Sequence, residues 1–217
     1  MIFSNLMAKN EGFENMDSQL IPQNDDFYPP SLKKLLKENA PKTITIWGNP
    51  GILKSKPLAL FCSVKCPGKL ILKTYDLAKQ LRNEGIAVIG GFHSPMEREC
   101  LDILLRRKQP VIICPNRSIK GIRLPAGWKK SISDGRFLLL SPFGEKLRRG
   151  TVQTAHYRNQ IIAALAEEIF ITYAAPQSKT EEFCREMLDW GKKVCTFEAN
   201  TSLIDLGVQP IRDLARF

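Results

Sequence analysis

The sequence predicts a doubly wound α/β fold, a mostly parallel sheet with helices on both faces. Three observations point there. From Leu58 onward, short apolar runs alternate with longer helical ones, the rhythm of strand-helix-strand units. The short runs are continuous in their apolar character rather than alternating, as expected of strands covered on both sides. The segments that follow them are rich in Gly, Ser, Pro, Lys and Asn, the composition of loops at the ligand-binding edge of such sheets.

Taken in order, residues 1–27 mix Asn, Gln, Asp, Glu and Ser with few clustered apolar positions, which predicts a flexible N-terminal arm or docking segment before a single domain over residues 28–217. Ser31 is read as the cap of a short helix with Leu32, Leu35 and Leu36 on one face, closed by Pro41. Thr43 to Trp47 is a short strand broken by the turn chemistry of Gly48-Asn49-Pro50-Gly51. Strands follow at Leu58 to Cys62, Ile86 to Ile89, Val111 to Cys114, Phe137 to Leu140, Ile169 to Tyr173 and Val194 to Phe197. Helices are predicted at Ile71 to Glu84, Pro95 to Arg107 and Thr180 to Trp190, and through the run His156-Tyr157-Arg158-Asn159-Gln160-Ile161-Ile162-Ala163-Ala164-Leu165. Pro115 to Asp134 reads as a Pro-, Gly- and Lys-rich connection without an element of its own.

Composition narrows the partner. Thirty-two Lys and Arg against 22 Asp and Glu leave a net charge of +10, which favours a polyanion such as nucleic acid. The six cysteines are scattered through apolar runs, the pattern of buried thiols in a reducing cytoplasm. Cys62 and Cys66 lie close together without a second Cys or His pair at zinc-finger spacing, so neither a metal nor another cofactor is expected. No apolar run reaches membrane-spanning length and the N-terminus lacks the pattern of a secretion signal, so a cytoplasmic protein without a membrane partner is expected.

In a doubly wound sheet, ligands bind beyond the carboxyl ends of the strands. The segments there are Ser63 to Gly68, Gly90 to Ser94, Pro115 to Ser118, Ser141 to Gly144 and Ala174 to Thr180. Arg158 is read as the first phosphate contact, a guanidinium at the opening of an apolar helix, where unpaired N–H groups favour an anion. Asn159 is either a second ligand or the cap of that helix. Ser63, Lys65 and Gly68 follow one strand, Gly91, His93 and Ser94 another, and Ser178 and Lys179 a third, all as phosphate-binding candidates. Lys146, Arg148 and Arg149, with Lys129, Lys130 and Arg136 upstream, form a basic track, and Trp128 or Phe143 is a candidate stacking surface for unpaired bases. His93 has no Ser, Cys or Asp partner at catalytic spacing, so no catalytic residue is assigned.

The same segments carry a family resemblance. Tyr28-Pro29, Leu32 and Trp47-Gly48-Asn49, then Phe61-Cys62-Ser63-Val64-Lys65 to Gly68, Gly90-Gly91-Phe92-His93-Ser94-Pro95-Met96-Glu97, Arg158-Asn159-Gln160-Ile161-Ile162-Ala163-Ala164-Leu165 and Ala174 to Ser178 resemble, in order, the motifs of the DNA-processing protein A (DprA/Smf) family. The likeness runs from about Tyr28 to Glu198, and it is most specific at the Arg158 segment, which is similar to Arg-Asn-Arg-Ile-Ile-Ala-Gly-Leu. Departures mark a divergent member. Val64 stands for the family's first-loop arginine, Pro95 for a glycine, Glu97 for an aspartate, Leu101 for a histidine, Tyr173 for a glutamate and Lys179 for a glycine. The resemblance implies a Rossmann-like core that binds single-stranded DNA through its backbone with little sequence preference. It also implies a homodimer, a RecA-type recombinase as partner, and a role in DNA uptake, competence, recombination or defence. Ile204, Leu206, Val208 and Ile211 are read either as part of a dimer interface or as sheet packing. Two rival classes share the fold: a nucleotide-binding sensor, and an N-glycosidic-bond hydrolase for which Glu97 is the nearest acidic candidate, although the glycine-rich motif of such hydrolases is missing.

Overall fold

The computed structural model describes residues 18–212, and its sheet has nine strands in the order β1-β2-β6-β5-β4-β3-β7-β8-β9. The strands are β1 Gln19–Pro22, β2 Thr43–Gly48, β3 Leu58–Phe61, β4 Val88–Gly90, β5 Val111–Ile113, β6 Phe137–Ser141, β7 Glu168–Ile171, β8 Lys193–Phe197 and β9 Gln209–Ile211. From β6 to β9 all neighbours are parallel, while β2 joins β6 antiparallel (Thr45 opposite Ser141) and β1 joins β2 antiparallel (Gln19 opposite Ile46).

The α-helices are α1 Pro30–Leu36, α2 Gly68–Asn83, α3 Pro95–Leu104, α4 Ala126–Ser133, α5 Val152–Leu165, α6 Lys179–Asp189 and α7 Thr201–Ile204. They cover both faces of the sheet. Leu32 of α1, Ile161 of α5 and Met187 of α6 meet Ile89, Ile112 and Leu138 on one face. Leu77 of α2, Leu104 of α3 and Ile132 of α4 meet Val88, Val111 and Phe137 on the other. Successive strand residues thus feed opposite cores, which is why the strands read as unbroken apolar runs.

The structure corrects the sequence reading where an element lacks a local signal. Part of the expected arm is β1, whose only buried residue is Ile21, so no apolar run announces it. It is held by its ladder to β2, with Gln23 N–H donating to Lys42 O at 3.0 Å beyond the strand end. Residues 1–17 of the expected arm lie outside the described residues, while residues 23–27 form the turn that leads from β1 to α1. The connection expected to be without structure contains α4, where Trp128 packs on Phe137 with ring centroids 5.3 Å apart. Ser31 does not cap α1: Pro29 is at the N-cap and Pro30 follows in the first turn, where a missing N–H costs nothing. Helix α5 starts earlier than its apolar run, at a capping box in which Thr151 Oγ1 accepts from Thr154 N–H and Thr154 Oγ1 from Thr151 N–H.

Candidate nucleic-acid interface

The chain runs from β3 outward through β4 and β5 to β6, then crosses back through α5 to β7 on the other side of β3. Loops leaving the carboxyl ends of β3 and β7 therefore diverge, and the crevice between them is where this topology places a ligand. A cavity of about 290 Å³ opens there, lined by Phe61, Cys62 and Val64 after β3, by Gly91, His93, Ser94 and Glu97 after β4, by Val152, Ala155, His156, Arg158 and Asn159 of α5, and by Lys179, Thr180 and Phe183 of α6.

Arg158 forms part of its floor. It lies in the second turn of α5 rather than at the opening, and only 7% of its surface is exposed. Its Nη1 donates to Cys114 O at 2.9 Å and its Nε to Asn159 Oδ1 at 2.8 Å. Burial holds the guanidinium below its ordinary pKa, with the Glu97 carboxylate opposing that shift. A Cβ at Gly91 would fall on the guanidinium, so this glycine gives the arginine its path to the end of β5. Arg158 is thus a buried cation held by protein groups. Asn159 does not cap α5; it accepts from Arg158.

The helix starts facing the crevice are closed by the chain's own carboxylates. Glu97 Oε2 accepts from His93 N–H at 2.9 Å and Ser94 N–H at 3.0 Å, while Ser94 Oγ accepts from Glu97 N–H at 3.2 Å. At α6, Glu181 Oε2 accepts from Gln177 N–H at 2.6 Å and Ser178 Oγ from Glu181 N–H at 3.3 Å. Arg185 donates to Glu181 Oε1 at 2.7 Å, and this contact, with the Gln177 N–H, holds the Glu181 carboxyl below the usual range. Ser94 and Ser178 are therefore caps. The amides that a phosphate would use at these two turns already have anionic partners.

Of the remaining candidates, His93 and Lys179 are exposed at the cavity, and Lys65 is exposed on the loop after β3. Ser63 Oγ is enclosed by protein without a hydrogen-bond partner, which removes it from the solvent-facing donors. Gly68 is the exposed first residue of α2. Lys146, Arg148 and Arg149 are exposed on the loop after β6, along the same carboxyl edge of the sheet. This loop is anchored by Arg148 Nη1 donating to Lys120 O at 2.7 Å and by a 2.5 Å ion pair between Lys120 and Glu145.

A family model described as DNA recombination-mediator protein A matches residues 19–206. The chain belongs to that family. Among solved structures, DNA processing protein A from Streptococcus pneumoniae is similar over 97% of this chain and 75% of its own, at 19% identity and a TM-score of 0.76. DNA processing protein A from Helicobacter pylori, described for its single-stranded DNA binding mode, is similar over 94% of both chains, at 18% identity and a TM-score of 0.72. The molybdenum cofactor binding protein of Rippkaea orientalis shares the fold more distantly, covering 75% of this chain and 93% of its own, at 12% identity and a TM-score of 0.51. A search of curated proteins finds no match.

In this member of the DNA recombination-mediator family, several surfaces expected to meet a ligand or partner are internal. Trp128 lies against Phe137, and Phe143 against Tyr157 with centroids 5.9 Å apart, so each proposed stacking aromatic already has a ring partner. Val208 and Ile211 are buried in the chain's own core and Leu206 packs beside it, which favours sheet packing over a dimer interface for these residues. None of the six cysteines is in a disulfide, and burial pushes the thiol of Cys62 well up. Among the described residues no cluster of His, Cys, Asp and Glu fits a metal ion, and no helix is long and apolar enough to cross a membrane. Sequence reasoning missed the cavity wall formed by Val152, Ala155, His156 and Phe183. The signal was the Thr151-x-x-Thr154 box: a helix starting there sets Val152, Ala155 and His156 on one face.

Proposed function

We propose that this protein binds single-stranded DNA along the carboxyl edge of its sheet, through contacts that are mainly to the phosphate backbone and largely independent of sequence. Support comes first from membership of the DNA recombination-mediator family. The observation that carries the reading is the placement of exposed cations along this one edge: Lys65 after β3, Lys179 at the start of α6, and Lys146, Arg148 and Arg149 after β6. A flexible single strand can follow such a line of separated charges, whereas a stiff duplex can reach only part of it.

The hydrolase alternative finds little support in Glu97. One carboxylate oxygen is held by two backbone amides, and the residue is part of a helix cap. The sensor alternative rests on the cavity, and mononucleotide binding without strand binding would favour it. A second copy of the chain and a RecA-type recombinase are the protein partners that the family resemblance implies. Sedimentation over a wide concentration range tests the first, and a purely monomeric profile contradicts it.

Anisotropy titrations with a labelled single strand, its duplex and a mononucleotide test the central reading. Tighter binding of the single strand, falling steeply with salt, is expected. Equal duplex affinity or a flat salt response contradicts the proposal.

A further inference from the structure

Lys129, Lys130 and Arg136 precede β6 and Lys146, Arg148 and Arg149 follow it, so the fold divides the basic track read from the sequence between the two edges of the sheet. Lys129 and Lys130 lie on α4, whose C-terminal end leads into Arg136 and β6. Helix α3 likewise ends before β5, in the exposed run Arg106-Arg107-Lys108. Strands β5 and β6 are parallel neighbours, so both loops stand at the amino edge, where the strands begin, opposite the crevice. The loops are joined directly: Arg136 Nη2 donates to Leu105 O at 3.1 Å and Val111 N–H to Arg136 O at 2.9 Å. Arg106, Arg107, Lys108, Lys129 and Lys130 are thereby gathered at one exposed corner.

The charge of this corner is unbalanced. Elsewhere along the same edge cations have carboxylate partners, Lys56 with Glu167 at 3.8 Å and Lys193 with Glu168 at 3.2 Å. Arg136 has Asp134 at 3.7 Å. Among the described residues, none of Arg106, Arg107, Lys108, Lys129 and Lys130 is in an ion pair. Attraction to the negative ends of α3 and α4 does not account for the cluster, since α5 ends at the same edge and is followed by Glu167 and Glu168. Cations held this close raise the local potential and draw a polyanion. The corner offers no free ring, because Trp128 of α4 is packed on Phe137. Single strands take part of their grip from stacked bases, whereas a duplex keeps its bases inside and presents phosphates to Lys and Arg. We infer that the corner is a second nucleic-acid surface, which holds the phosphate backbone of a duplex at the amino edge of the sheet. This surface does not depend on the single-strand reading of the opposite edge. It spans only two loops, so the duplex is expected to bind more weakly than the strand.

Anisotropy titrations of the full chain test this. A labelled duplex is expected to bind wild type and to stay bound when unlabelled single strand is added to saturation. In Arg106→Ala/Arg107→Ala/Lys108→Ala the duplex is expected to bind more weakly, with a slope of log K against log salt shallower by roughly 2.7, at about 0.9 for each neutralised phosphate. The three side chains are exposed and outside any ion pair, so Tm and single-strand affinity are expected to match wild type. Displacement of the duplex by the single strand, or a wild-type duplex slope in the triple variant, overturns the inference. A polyglutamate peptide that binds wild type and not the triple variant, with no duplex binding, makes the corner a docking surface for acidic protein and overturns it as well. If the duplex binds this corner and no single strand binds at all, the duplex surface stands and the single-strand reading fails.

Discussion

Arg158 and Lys179 stand on the same cavity, and their surroundings differ in every respect that matters to a cation. The arginine is 7% exposed and donates to Cys114 O and Asn159 Oδ1, while the lysine is exposed at the first position of α6. A buried guanidinium costs several kcal/mol in lost hydration, by rough estimate, and persists because a backbone carbonyl and a side-chain amide oxygen replace the water. An exposed ammonium keeps its water and has little to lose when a phosphate displaces part of it. The more motif-like residue is held by the chain's own groups, and the less distinctive one is exposed at the cavity.

Arg158→Ala should break this comparison most forcefully. Removing the guanidinium leaves Cys114 O without its partner in a dry site, so a loss of about 3 kcal/mol is expected, seen by calorimetry as a Tm lower by roughly 6–12 °C. An unchanged Tm with lost DNA binding makes Arg158 a ligand residue instead. Gly91→Ala comes next. Its Cβ meets the guanidinium, which must leave its place, and about 2 kcal/mol of overpacking strain is expected in urea unfolding. Full wild-type stability in Gly91→Ala means that Arg158 moves freely and is not held as described.

A smaller effect belongs to the α6 cap. The Glu181 carboxyl is held below its unfolded value of about 4.3 by Arg185 and the Gln177 N–H. A depressed carboxyl contributes stability that is complete above the unfolded pKa and is lost as pH falls through the folded one, because the unfolded chain binds the proton first. Stability of the wild type should therefore fall below pH about 4, and Glu181→Gln should flatten that part of the profile. An acid limb identical in the two proteins contradicts the role given to this carboxylate.

Much of the fold was legible because its strands feed two cores. Leu58 to Phe61 and Phe137 to Ser141 are buried at every position and could be read from apolar continuity alone. Strand β1 was not legible, since one buried residue in four gives no pattern and its position depends on a partner beyond it in sequence. The crevice was legible as a place, because strand ends and loop composition mark it. Its chemistry was only half legible. Lys179 and His93 follow from position, but whether Ser94 and Ser178 face a ligand or their own helices depends on carboxylates three residues on. Arg158 was misplaced for a similar reason: the apolar run that marks α5 begins after its second turn, and the Thr151 box that starts it offers only Val152 as an apolar residue, too little for a pattern.

The most direct test of the rim as the phosphate surface is the salt dependence of single-strand affinity in Lys65→Ala/Lys179→Ala against wild type. Both residues are exposed, so thermal stability should stay within about 0.5 kcal/mol. Each lysine that neutralises one phosphate contributes about 0.7 to the slope of log K against log salt. The double variant is expected to bind more weakly, with a slope shallower by roughly 1.4. A wild-type slope in the double variant contradicts the account.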